Sequence, residues 1–166
     1  MFRGCLAVEP TSDDRYTPPE ILEAVAEYWP EGIDLDPFWS PSSVVSARRM
    51  IPIDPDDPDG GGFDAEWAGR IWVNGPWSRM LDVMRKVSRV DDGEVLVLCK
   101  LDTSTTWWRK YVWACADQIC FLGRTRYASR SITSGGRWTY EDASPAKEGP
   151  VPPQLLRGHR PRLVDP

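Results

Sequence analysis

Two short stretches of this chain carry residue types that could do chemistry: Asn74-Gly75-Pro76-Trp77-Ser78 and Asp34-Leu35-Asp36-Pro37-Phe38. Each sets polar groups and a proline where an apolar run stops, and each includes an aromatic residue. In the first, the Asn74 side chain offers a carbonyl acceptor, and the backbone carbonyl of Gly75 offers another. Two acceptors a few ångströms apart suit an exocyclic amino group with two hydrogens to donate. Gly75 and Pro76 tighten the loop and let a planar ring approach the backbone. Trp77 supplies a face on which a nucleobase could stack. The plainer alternative is an ordinary strand-to-helix turn, with Ser78 as cap and Trp77 in the core, and from this loop alone the plainer alternative is favoured.

Stretches of this kind do chemistry only if strands and helices hold them in place. Thr17-Pro18-Pro19-Glu20 reads as a helix start, with Thr17 as cap, Pro18 in the first turn and Glu20 completing a capping box. Ile21, Leu22, Val25, Tyr28 and Trp29 follow at helical spacing, and Pro30 and Gly32 end the run. A short strand over 33–36 is expected to break at Pro37. A long loop then spans 38–69, with a helical turn around 42–48; loops of this length inside a compact domain usually serve function. Residues 71–74 read as a strand and 79–90 as a helix capped by Ser78. The almost wholly apolar run 94–99 suits a central strand covered on both faces. A helix over 105–116 and a strand over 118–122 complete the pattern. Strand and helix alternating in this way predict an α/β fold, a doubly wound and mostly parallel sheet in a single domain. In such sheets ligands bind beyond the carboxyl ends of the strands, where both stretches fall.

The flanks are expected to differ from this domain, which spans 17–140. Residues 1–16 read as a leader with little structure. Residues 131–136 suggest a hairpin, and 137–140 a short strand. From Ala143 the chain has six prolines and few apolar clusters, so 141–166 reads as an extended tail.

Composition closes off several classes. With 166 residues, 41% of them apolar, the chain can bury a core without metal or disulfides. No apolar run reaches membrane-span length, and the amino terminus does not resemble a signal peptide, so a cytoplasmic protein is expected. Four cysteines without a C-x-x-C pair and a single histidine, His159, argue against a zinc site. Cys99 and Cys120 read as small apolar residues of strands. Trp29, Trp67, Trp72 and Trp113 read as core or rim. The formal net charge of −5 disfavours DNA, because phosphate contacts need Lys and Arg. Four of the acids, however, crowd into 54–59, which reads as a solvated loop. Arg109, Lys110, Arg124, Arg126, Arg130 and Arg137 form the opposite pole, and a polarised surface can bind DNA despite a negative total.

Taken in order, the motifs resemble a family. Tyr16-Thr17-Pro18 is followed by Asp34-Leu35-Asp36-Pro37, Gly62-Phe63 with Trp67, and Trp72-Val73-Asn74-Gly75-Pro76-Trp77-Ser78. Leu96-Val97-Leu98, the 103–108 segment and Phe121-Leu122-Gly123-Arg124-Thr125-Arg126-Tyr127 complete the series. The arrangement, from about Tyr16 to Tyr127, is similar to the phage DNA N-6-adenine methyltransferase (Dam) family. The resemblance implies a Rossmann-like methyltransferase fold, S-adenosyl-L-methionine as cofactor, DNA as partner, and adenine N6 as the acceptor. It further implies that Tyr16, Thr17 and Pro18 edge the cofactor site, that Asp36 and Pro37 lie beside the methionine part, that Asn74 holds the target amino group, and that Trp77 stacks on the base. Asp34 and Asp64 are further candidates for the cofactor's ammonium, ribose or adenine. Arg124 and Arg126 are candidates for phosphate, with a strand-edge ion pair as the alternative. Gly75 stands where the family carries a proline, so a looser loop is expected. No counterpart of the family's last apolar strand stands out in the Pro-rich end.

Three functions fit: a DNA adenine methyltransferase, placed first; a catalytically silent methyltransferase-like binding protein; and a methyltransferase acting on an amino group of RNA, a nucleotide or a protein. A phage-encoded protein would work in the host cytoplasm. A homo-oligomer is left open.

Overall fold

The structure, a computed structural model, describes residues 17–41, 43–54, 56–57 and 59–122, together with the backbone of three later strands. The elements are helix α1 (Pro19–Tyr28), strands β1 (Ile33–Trp39), β2 (Ala47–Pro52) and β3 (Gly69–Val73), helix α2 (Met80–Val87) and strand β4 (Gly93–Lys100). A π-helical turn (Trp108–Val112) leads into the short helix α3 (Trp113–Cys115) and strand β5 (Ala116–Phe121). Strands β6 (Ala128–Ile132), β7 (Trp138–Asp142) and β8 (Pro153–Gly158) follow.

Six strands form one sheet in the order β2-β1-β3-β4-β8-β5. The first four run parallel, and β8 lies antiparallel between β4 and β5. The expected α/β sheet with flanking helices is therefore present. Alternation along the strands sorts the core into two layers. Ile71, Val73, Val95, Val97 and Cys99 pack with Val83, Met84, Trp108 and Val112. Trp72, Leu96 and Leu98 pack with Ile21, Val25 and Trp29 of the α1 segment. Strand β4 is buried from Val95 to Cys99 because both faces are covered. Burial pushes the Cys99 thiol pKa up, consistent with a reduced thiol serving as a small apolar residue. Among the described residues, no helix is long and apolar enough to cross a membrane.

Several elements differ from expectation, each for a physical reason. Strand β1 does not stop at Pro37 but runs to Trp39. The missing N–H is accommodated where the β1–β2 register shifts, between Asp36 and Trp39. The segment expected as a loop with a helical turn contains β2, an edge strand parallel to β1. Among the described residues of the link between them there is no helix, and Val45 is buried against the α1 layer. Part of the expected tail, Pro153–Gly158, is a sheet strand, and so the missing last strand has a counterpart. Strands β6 and β7 pair antiparallel, which agrees with the expected hairpin. Trp29, Trp67 and Trp72 are buried, whereas Trp113 is 60% exposed. Cys120 also faces solvent.

Candidate active site

Strands β1 and β3 are neighbours, yet the sheet grows away from them in opposite directions, to β2 on one side and to β4 on the other. The crevice beyond their carboxyl ends is the switch point at which open α/β sheets bind ligands. Leu35 pairs with Ile71, and carrying that register forward sets Phe38 level with Asn74. Both stretches singled out by residue type therefore end at one place.

Helix α1 brings a third segment there. Its last residues are tied to the start of β4, where the Tyr28 hydroxyl donates to Glu94 Oε1 at 2.6 Å and Trp29 Nε1 to Glu94 Oε2 at 3.0 Å. The helix thus runs against the strands, and its first turn lies by their carboxyl ends. Thr17 is only 2% exposed. It does not cap the helix as expected: Pro18 is the cap residue, and no side chain caps the first turn. Instead, Asn74 Nδ2 donates a hydrogen bond to Thr17 Oγ1 at 3.2 Å. Two elements 57 residues apart in sequence are joined at this contact.

The Asn74 loop is filled rather than loose. Gly75 is buried, and a Cβ there would stand 3.0 Å from Val83 Cγ2 and 3.1 Å from Phe38 Cδ2. Its φ is not among the positive ones, so the residue is chosen for space and not for backbone freedom. Phe38 and Val83 border the space in which a side chain at this position would begin. Phe38 in turn meets Phe63 with ring centres 4.9 Å apart and Trp67 at 5.8 Å. Gly62 packs so closely on the Pro37 carbonyl that any Cβ would collide with it, and its own carbonyl accepts from Trp67 Nε1 at 2.8 Å. Arg79 fastens this loop from outside, lying 4.3 Å over the Phe63 ring and pairing with Asp59 and Asp82.

After Asn74 and Gly75, Pro76 leads into one 3-10 turn, Trp77–Arg79, and α2 then starts at Met80. Helix α2 begins one residue later than expected, so its cap residue is Arg79 rather than Ser78. Trp77 is half-buried against both core layers, and Lys100 Nζ lies 4.8 Å from the centre of its ring. That cation, from the end of β4, lies over one face of the Trp77 ring.

Asp36 is one of two buried polar residues among those described; the other is Thr17. Its Oδ1 accepts from the Phe38 N–H at 3.0 Å, and no described cation pairs with it. Burial raises its pKa from 3.8 to about 7, and the hydrogen bond from Phe38 offsets that only in part. Pro37 beside it is fully buried.

The other expected positions fare differently. Asp34 lies toward the amino end of β1, away from the crevice. There it accepts from the backbone N–H and Nε of Arg70 at 2.9 Å each, and it pairs with Arg48 at 3.0 Å. The Arg70 hydrogen bonds hold its pKa down, at about 2. A carboxylate so paired has its charge compensated by the protein's own arginines. Asp64 is exposed on the 60–66 loop, and no hydrogen bond or ion pair among the described residues links it to the crevice. Tyr16, Arg124 and Arg126 lie outside the described residues. Phe38, Gly62 and Lys100 were not assigned roles from sequence. The Gly60-Gly61-Gly62 run was the available signal for a close approach, whereas Lys100 carried none, because its neighbour Trp77 lies on another strand's loop.

A family model for DNA N-6-adenine-methyltransferase (Dam) matches residues 7–143. The chain belongs to that family. No curated protein and no solved structure matched it. The Dam family is one of DNA N6-adenine methyltransferases, which accords with the parallel sheet and its switch-point crevice. In this Dam-family member the glycine of the Asn-Gly-Pro-Trp loop lies close against the Phe38 ring.

Proposed function

We propose that the crevice between β1 and β3 moves a methyl group from S-adenosyl-L-methionine to the N6 amino group of adenine in DNA, with Asn74 and the Gly75 carbonyl holding the amino hydrogens. The observation that carries this reading is the convergence of Asn74, Thr17 and the Asp36-Pro37-Phe38 segment of β1 on one switch point.

The residues present suit such a cofactor. A buried carboxyl with no cationic partner among the described residues, and with its pKa raised by that burial, favours a cationic ligand that would restore its charge. Asp36, Pro37 and Pro18 would hold the cofactor, with Tyr16 a further candidate; Thr17, whose hydroxyl is engaged by Asn74, would only edge the site. When bound, S-adenosyl-L-methionine supplies an electrophilic methyl group on a sulfonium.

The chain's own contribution is placement. The lone pair of the adenine amino group is delocalised into the ring and is a poor nucleophile. Asn74 Oδ1 and the Gly75 carbonyl would accept hydrogen bonds from its two N–H groups and favour a tetrahedral nitrogen with the lone pair freed for in-line attack, after which the nitrogen gives up one of those protons. Phe38 and Val83, packed against Gly75, keep the second acceptor in place, so positioning is the main contribution. Trp77 would stack on the base with the ring face that Lys100 does not cover. A base within a duplex cannot reach such a site, so it must flip out or arrive in a single strand. Arg124 and Arg126 are candidates to meet the phosphates.

The test is transfer of labelled methyl groups from the cofactor to adenine-containing DNA, with the product identified as N6-methyladenine. The wild-type protein transfers them, and Asn74→Ala lowers kcat by about 100-fold or more, as removal of one preorganised polar contact does elsewhere. No transfer to any adenine-containing DNA, single or double stranded, would sink the reading.

A further inference from the structure

We propose that Thr17 is a positioning residue for methyl transfer: its hydroxyl fixes which end of the Asn74 amide faces the substrate amine. The inference rests on the function proposed above and adds a requirement to it. An asparagine amide has two ends of nearly equal shape and opposite hydrogen-bonding sense, an acceptor oxygen and a donor nitrogen. The terminal torsion that exchanges them is soft and roughly two-fold. Only one orientation suits an incoming amino group; the other would set NH2 against NH2. Something other than shape must therefore distinguish the ends.

Thr17 does so. Its Oγ1 accepts from Asn74 Nδ2 at 3.2 Å, and the amide geometry then directs Oδ1 away from Thr17. The hydroxyl is well anchored. Thr17 is 2% exposed, and the proline after it restricts its backbone. The helix that follows seats Ile21 and Val25 in the same core layer as Trp72, two residues before Asn74. A second observation supports the assignment. Thr-Pro-Pro-Glu is a capping sequence, yet α1 has no side-chain cap, and the Thr17 hydroxyl meets Asn74 instead.

The contact predicts a specific pattern in kinetics. Thr17→Val lowers kcat by about 5- to 20-fold, the loss expected when a donor is left without its acceptor, while the cofactor Kd stays within about two-fold. Thr17→Ser keeps the hydroxyl and stays within about two-fold of wild type in kcat. A carboxylate has two equivalent oxygens and needs no orienting, so in an Asn74→Asp background the Thr17→Val loss shrinks to about two-fold or less. The proposal is overturned if Thr17→Val matches wild type, if Thr17→Ser falls with it, or if cofactor affinity drops in parallel with kcat. An equal loss in the Asn74→Asp background also overturns it; should that background be inactive, the Ser and Val comparison decides. If wild type itself transfers no methyl group, the proposed function fails rather than this contact. The Asn74 side-chain amide resonances then decide the contact: a shift in Thr17→Val that Thr17→Ser restores supports it, and no shift overturns it.

Discussion

Asp34 and Asp36 stand two positions apart on one strand, and the two ends of the sheet treat them in opposite ways. At the amino end, Asp34 is surrounded by Arg70 and Arg48, with Glu31 completing the network through Arg70. Its pKa is held at about 2. Toward the carboxyl end, Asp36 is buried with a single backbone donor, and its pKa rises to about 7. The first aspartate has every partner it needs within the protein. The second carries an electrostatic cost that folding alone does not compensate, as groups shaped for a ligand often do. Residue type is the same; partner supply separates the two carboxylates.

The contrast can be stressed by substitution, beginning with the severest. Gly62→Ala, on the loop covering the Asp36 end, drives a Cβ into the Pro37 carbonyl. It should destabilise the protein by about 3 kcal/mol or more or displace the loop, measured as a loss in urea midpoint. At the other end, Asp34→Asn should lower Tm by about 3–8 °C at pH 7. The Asp34 contribution is present above its unfolded pKa of 3.8 and is lost as pH falls through about 2. The difference from wild type should therefore close across that window in a pH series of melts.

Asp36 has the reverse sign. Its folded pKa lies above the unfolded value, so the folded state holds the proton more tightly, and stability falls as pH rises from 3.8 to about 7. Asp36→Asn should remove that decline and leave the apo protein at least as stable as wild type at pH 8, by thermal unfolding. The smallest expected effect is at Gly75, where an added methyl needs only tenths of an ångström from Phe38 and Val83. Gly75→Ala should cost about 1–3 kcal/mol, and Phe38→Leu in the same chain should recover part of it, read as coupling in a double-mutant cycle.

Much of the site was legible because its signals are local. Polar residues and prolines at the ends of apolar runs marked Asp36 and Asn74, and strand–helix alternation gave the parallel sheet that brings them together. What escaped depends on distant partners. Asp34 looked like Asp36 until pairing set it beside Arg70, 36 residues away. Thr17 carried a capping signal that a contact 57 residues on overrode. Strand β2 is an exposed edge with weak alternation, so its sequence read as loop. Strand β8 was masked by the prolines around it, although its backbone pairs along both sides. Pro37 read as a strand breaker because the register shift that tolerates it belongs to β1 and β2 jointly.

The most direct test is a calorimetric titration of S-adenosyl-L-methionine into wild type, Asp34→Asn and Asp36→Asn side by side at pH 8. Near wild-type affinity is expected for Asp34→Asn and a loss of about ten-fold or more for Asp36→Asn, the scale of a charged contact removed from a buried site. Equal affinities in all three proteins, or a loss confined to Asp34→Asn, would rule out Asp36 as the carboxylate that meets the cofactor.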